Sequence, residues 1–107
     1  MTVNLLHALP QALPDEVYTE LVRSGAVRIE RIVSNGQITP QGQWYDQAEY
    51  EWVLLLAGAA GLRFEDEQDD RSLVPGDCVL IAPHRRHRVT YTGEQTVWLA
   101  VWWPPTP

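Results

Sequence analysis

Two ionisable residues from distant parts of the chain, Glu51 and His87, are of the kinds that bind a divalent cation or pass a proton. Each falls in a stretch that reads as a β-strand. Successive side chains of a strand point to opposite faces, so in Trp44 to Leu56 the residues Tyr45, Gln47, Glu49 and Glu51 share a face with Val53 and Leu55. Trp44, Asp46, Ala48, Tyr50 and Trp52 take the other face. A carboxylate on a core-going face is costly unless it is paired, hydrogen-bonded or bound to a cation. The later stretch supplies a partner. There His87, Val89 and Tyr91 form the apolar face, and Arg86, Arg88 and Thr90 the other. The expectation is a polar interior that holds a small molecule, with Tyr45, Gln47, Glu51, His87 and Tyr91 as the pocket.

Two kinds of chemistry are open to such a pair. Glu51 and His87 could share a divalent metal. Without a metal they would form an acid/base couple, the carboxylate fixing the imidazole tautomer, able to act on a sugar or keto acid or to orient a ligand. The bland alternative is that they satisfy each other and do nothing more. Trp44, Trp52, Trp98, Trp102 and Trp103 could stack on a sugar, although broad aromatics more often fill barrel interiors and subunit interfaces. Arg85, Arg86 and Arg88 could meet an anion at a cavity mouth, with ordinary surface charge as the default. The acidic run Asp66 to Asp70 lacks the spacing of a calcium-binding loop and reads as a solvated turn. No nucleophile motif, phosphate-cradling glycine loop or paired-cysteine metal knuckle occurs, which sets aside several large enzyme classes.

The elements that must position these residues are mostly strands. Pro14-Asp15-Glu16 has the form of a helix start, and Val17, Leu21 and Val22 recur at helical spacing before Gly25, which predicts one short N-terminal helix behind an extended arm. From Val27 onward the pattern is strand and turn. Asn35-Gly36, Gly58, Pro75-Gly76 and Gly93 punctuate seven or eight short strands, the signature of a β-sandwich or barrel. An immunoglobulin-like sandwich is the alternative on pattern alone, but it gives no reason for polar residues inside the strands. Cys78 opens the apolar run Cys78-Val79-Leu80-Ile81 and reads as a small buried thiol.

Composition narrows the partners. The chain has 107 residues, enough for one domain, and a net charge of −6 from 8 basic and 14 acidic side chains. That balance repels a phosphate backbone, so no nucleic-acid partner is expected. A single cysteine excludes an internal disulfide. No basic-then-apolar leader and no run near the ~18 apolar residues of a membrane span is visible, so the expected setting is the cytoplasm, with no membrane partner. A small barrel leaves an edge strand and aromatic surface to cover, which predicts a homodimer with the arm from Thr2 to Pro14 reaching a neighbour.

From Val27 to Trp103 the sequence resembles a small single-domain bacterial cupin. The tail of that family's first motif stands as Glu51, six residues and Gly58; the second is recognisable in Gly76-Asp77-Cys78-Val79-Leu80-Ile81-Ala82-Pro83 followed by His87. Arg28 to Ser34, Trp44-Tyr45-Asp46-Gln47 and Trp98-Leu99-Ala100-Val101 strengthen the likeness. The resemblance implies an all-β jelly-roll barrel and isomerase, dioxygenase or lyase chemistry on a small carbonyl, aromatic or sugar compound, or a non-catalytic sensing role. The non-catalytic alternative is a metal-free module that binds or senses a sugar or organic acid. The resemblance also implies a metal site, since metal-binding cupins use two first-motif histidines, the acid and the second-motif histidine. Here the first-motif histidines fall on Tyr45 and Gln47, the second-motif glycine on His84 and its terminal Asn on Tyr91. The expected set for a divalent Fe, Mn, Ni or Zn ion is thus Gln47, Glu51 and His87, with His84 as a further candidate.

Overall fold

The alternation read from Val27 onward becomes a set of antiparallel ladders. The computed structural model describes residues 2–106, which form eight strands and no helix. In chain order they are β1 (Val17–Ser24), β2 (Val27–Ser34), β3 (Tyr50–Ala57), β4 (Ala60–Phe64), β5 (Arg71–Leu73), β6 (Cys78–Ile81), β7 (His87–Thr92) and β8 (Thr96–Trp103). One sheet has the order β1-β2-β8-β3-β6 and the other β5-β4-β7. Every pairing is antiparallel. Ile32, Val53, Leu55, Leu62, Phe64, Leu73, Val79, Ile81, Trp98, Ala100 and Trp102 pack between the sheets as the core.

The expected N-terminal helix is not formed; Val17–Ser24 is strand β1, paired along its length with β2. A register shift between Glu20 and Val22 leaves Leu21 as an extra residue. Such a bulge resets the two-residue alternation. It places Val17, Leu21 and Val22 at intervals that imitate a helix although the chain is extended. Gly25 then turns the chain with φ +57, as a hairpin rather than a helix stop. Cys78 is exposed, not buried, because β6 turns Val79 and Ile81 inward and leaves Cys78 and Leu80 outside.

Gly58 links the two sheets by joining β3 to β4. Its φ is +87, and a Cβ there would lie 2.7 Å from the Thr96 Cα. Both the backbone angle and the space demand glycine.

Candidate functional site

Glu51 is the second residue of β3, flanked in register by Trp102 on β8 and Ile81 on β6. His87 is the first residue of β7, opposite Phe64 on β4. The acid therefore comes from one sheet and the imidazole from the other. Tyr45 and Gln47 precede the start of β3 at Tyr50 and are held differently. The Tyr45 N–H donates to the His87 carbonyl at 2.7 Å and the His87 N–H to the Tyr45 carbonyl at 3.2 Å. The His84 N–H donates to the Gln47 carbonyl at 2.7 Å. This short clasp aligns Tyr45–Gln47 with the approach to β7. Glu49 leaves the expected face and pairs with Arg28 at 2.8 Å.

Between the sheets lies a cavity of about 100 Å³, lined by Glu16, Tyr18, Ile32, Tyr45, Gln47, Glu51, Val53, Leu62, Ile81, His87, Val89, Trp98 and Trp102. Glu51 and His87 are 9% and 4% exposed. The His87 Nε2 stands 3.6 Å from the Glu51 Oε1. The Gln47 Nε2 donates to the same oxygen at 2.9 Å. The His87 Nδ1 is 2.8 Å from the Arg85 carbonyl oxygen. A carbonyl only accepts, so Nδ1 carries a hydrogen and Nε2 is the nitrogen left to face Glu51 and the cavity. The rings of Tyr45 and Phe64 flank the imidazole at 5.6 and 6.1 Å.

A second carboxylate lines the cavity that the sequence reading missed. Glu16 accepts a hydrogen bond from the Ser34 hydroxyl and one from the Tyr18 hydroxyl at 3.5 Å. Partial burial pushes the phenol of the half-exposed Tyr18 well above its ordinary value, and the negative charges of Glu16 and Glu51 push it further. Tyr45 is raised in the same way, first by burial and then by Glu16, with a smaller contribution from Glu51 and partial opposition from a hydrogen bond with Thr39. Both phenols are hydrogen-bond donors at neutral pH. Glu16 and Tyr18 were hidden by the helix reading. Read as an edge strand, the order Glu16-Val17-Tyr18 places the acid and the phenol on one face, and that was the available signal.

Tyr91 does not line the cavity and is 55% exposed. Its register partner is Gly61, whereas the next residue of β4, Leu62, pairs with Val89. Thr90 is thus a bulged residue, and the alternation that carries His87 inward turns Tyr91 out and Thr92 in. His84 also lies outside the cavity: its exposed ring meets Asp46 at 2.7 Å. Of the five tryptophans, Trp98 and Trp102 form cavity wall. Trp103 instead stacks on Tyr50 at 5.4 Å. The arginines of the basic cluster are engaged elsewhere, Arg85 by Asp66 and Glu67, Arg86 by Glu65 and Arg88 by the Thr39 carbonyl.

These residues do not suit a tightly held transition metal. Catalytic zinc takes three protein ligands, and facial-triad iron two imidazoles and a carboxylate. With His84 outside and Glu16 bonded to the Ser34 and Tyr18 hydroxyls, the strong donors that face each other are the Glu51 carboxylate and the His87 imidazole. Gln47 turns its NH2 toward Glu51, and an ionised carboxylate accepts only a donor there, so this bond occupies the amide face nearest the acid. Among the described residues no group of three His, Cys, Asp or Glu side chains could hold a metal ion.

Two antiparallel sheets with a small cavity between them, into which an acid and an imidazole project from opposite sheets, define a β-barrel of the jelly-roll kind. A crystal structure from Ralstonia eutropha JMP134, described as a "putative mannose-6-phosphate isomerase", superposes with a TM-score of 0.94 and is 41% identical over 98% of this chain and 99% of its own. A cupin superfamily protein from Desulfitobacterium hafniense DCB-2 has a TM-score of 0.80 at 17% identity, covering 98% of this chain and 92% of its own. An RmlC-like cupin from Desulfovibrio desulfuricans has a TM-score of 0.79 at 16% identity, covering 99% and 98%. No family model and no curated protein matches the chain. The chain belongs to the cupin superfamily. Among the described residues there is no helix, and so none long and apolar enough to cross a membrane.

Proposed function

We propose that this cupin binds a small organic molecule in the barrel cavity through Glu51, His87 and Gln47, without a resident metal. The observation that carries the reading is the direct facing of the buried His87 Nε2 and Glu51 Oε1 at 3.6 Å, in a cavity with apolar and aromatic walls. Binding sites commonly combine such walls with a few convergent polar groups. Nε2 can accept a proton from a ligand hydroxyl, and Glu51 stabilises the imidazolium so formed. A second reading, proton transfer on a hydroxycarbonyl compound, is favoured by this same pair and by the isomerase description of the Ralstonia relative.

The test is elemental analysis of untagged protein together with thermal unfolding in the presence of small polyols and hydroxycarbonyl compounds. Less than one metal per ten chains and a ligand-dependent rise in Tm that His87→Ala abolishes are expected. One Fe, Mn, Ni or Zn per chain, lost in Glu51→Gln, would overturn the metal-free reading. We also propose a homodimer, supported by β1 as an edge strand with exposed Tyr18 and Val22. A monomer by light scattering at micromolar concentration would remove it.

A further inference from the structure

The chain has 8 basic residues, all of them arginine. Arg23, Arg28, Arg63, Arg71, Arg85 and Arg86 lie in ion pairs with carboxylates. Arg31 donates to the Leu5 carbonyl and the Thr19 hydroxyl, and Arg88 to the Thr39 carbonyl. None lines the cavity. Arg28 stacks 4.5 Å over the ring of Trp102, itself a cavity wall, but Glu49 holds its guanidinium with two bonds of 2.8 Å and Glu30 stands 3.5 Å away.

The charged and titratable lining groups are therefore the carboxylates Glu16 and Glu51, the phenols Tyr18 and Tyr45, and the His87 imidazole. One imidazolium cannot neutralise two carboxylates and a bound anion as well. A phosphate ester or carboxylate taken from water into this space would lose its hydration without gaining a guanidinium or ammonium partner, and it would meet two like charges. After burial, the charges of Glu16 and Glu51 both add to the rise of the Tyr18 and Tyr45 phenol pKa values.

We infer that the ligand of this cavity carries no negative charge: the site admits a small hydroxylated or amine-bearing molecule and excludes phosphate esters and organic acids. The inference rests on the cavity being a ligand site. It separates this chain from the phosphosugar named for its Ralstonia relative. The neutral hydroxyl finds donors and acceptors in Tyr18, Tyr45, Gln47 and the Glu51–His87 pair; an ammonium finds two carboxylates.

Four probes on one three-carbon frame test it: glycerol, 3-amino-1,2-propanediol, glycerol 3-phosphate and glycerate. Each is titrated into the full chain at low salt while the indole N–H resonances of Trp98 and Trp102 are followed by NMR. Glycerol and the amine are expected to shift these resonances saturably, and the two anions to bind at least about tenfold more weakly. Glu16→Gln should narrow that gap. Binding of glycerol 3-phosphate or glycerate as tight as that of glycerol overturns the inference and leaves the ligand site standing. Silence of both indoles toward all four probes overturns the ligand site, and the inference with it.

Discussion

Two acid-rich regions of this molecule use opposite partners. In the loop between β4 and β5, Glu65 meets Arg86 at 3.0 Å, Asp66 meets Arg85 at 3.0 Å, Glu67 meets Arg71 at 2.6 Å and Arg85 at 3.1 Å, and Asp70 meets Arg63 at 3.3 Å. In the cavity, Glu16 meets two hydroxyls, and Glu51 an amide and an imidazole. Guanidinium fixes a carboxylate in place and neutralises it. Hydroxyl, amide and imidazole satisfy a carboxylate while leaving its charge largely available to a third party. The loop carboxylates are therefore neutralised by guanidiniums, whereas those of the cavity are not.

Phe64 joins the two regions, and its removal should have the largest effect. Its ring is fully buried, lies under the Arg85 and Arg71 guanidiniums at 3.7 and 4.7 Å, and flanks His87. Phe64→Ala is expected to cost about 3–5 kcal/mol in urea unfolding, from lost burial and the void left behind. A loss near ~1 kcal/mol would show that the arginine clamp does not depend on the ring.

Glu51→Gln sharpens the contrast from the cavity side. The amide retains the volume and a hydrogen-bond acceptor for Gln47, and the His87 Nδ1 keeps its bond to the Arg85 carbonyl. Stability should change by no more than about 1 kcal/mol, while the ligand-dependent rise in Tm disappears. If stability fell by several kcal/mol, the carboxylate would be a structural strut, like those of the loop.

How much of this could be read from the sequence depended on whether the local alternation was regular. From Glu51 to Leu55 and from His87 to Val89 the alternation is regular, and the inference that Glu51 and His87 face one interior follows from a period of two. Tyr91 is turned outward because the bulge at Thr90, three residues after the inward-facing His87, reverses the count. Glu16 and Tyr18 failed because the bulge at Leu21 disguised an edge strand as a helix. Bulges arise from how two strands are matched, and that information is absent from either strand alone. The Tyr45–His87 clasp was invisible for the same reason: it is made by backbone groups, and side-chain types do not announce it. Gln47 was placed on a strand that begins only at Tyr50, yet the clasp carries its side chain to Glu51 all the same.

Acid provides a gentler test of the loop. The Arg71 guanidinium, hydrogen-bonded to Glu67, holds that carboxyl below its ordinary 4.5. A depressed folded-state pKa contributes stability that is fully present above the unfolded value and is lost as pH falls through the folded one. Wild-type stability should therefore decline as pH drops below 4.5, with a part of that slope missing in Arg71→Ala. Because Glu67 is open to solvent, the difference is expected to be small and to shrink further with added salt. Identical slopes in the two proteins would mean that the ion pair contributes nothing.

His84 should give the smallest effect, and its sign is informative. The residue stands where the second cupin motif carries glycine, and its φ is +61, in the left-handed region that costs an L-residue roughly 1 kcal/mol. Its ring makes only the exposed contact with Asp46 at 2.7 Å, worth at most about 0.5 kcal/mol. His84→Ala loses that contact and keeps the strain, so it should destabilise slightly. His84→Gly loses the contact but relieves the strain, offset in part by a more flexible unfolded chain, and should be neutral or slightly stabilising. Neither substitution should alter the response of the cavity to its ligand. Glycine better tolerated than alanine would identify His84 as a turn residue set by backbone geometry. A ligand response lost in both would return its side chain to the site, and with it the case for a third strong donor beside Glu51 and His87.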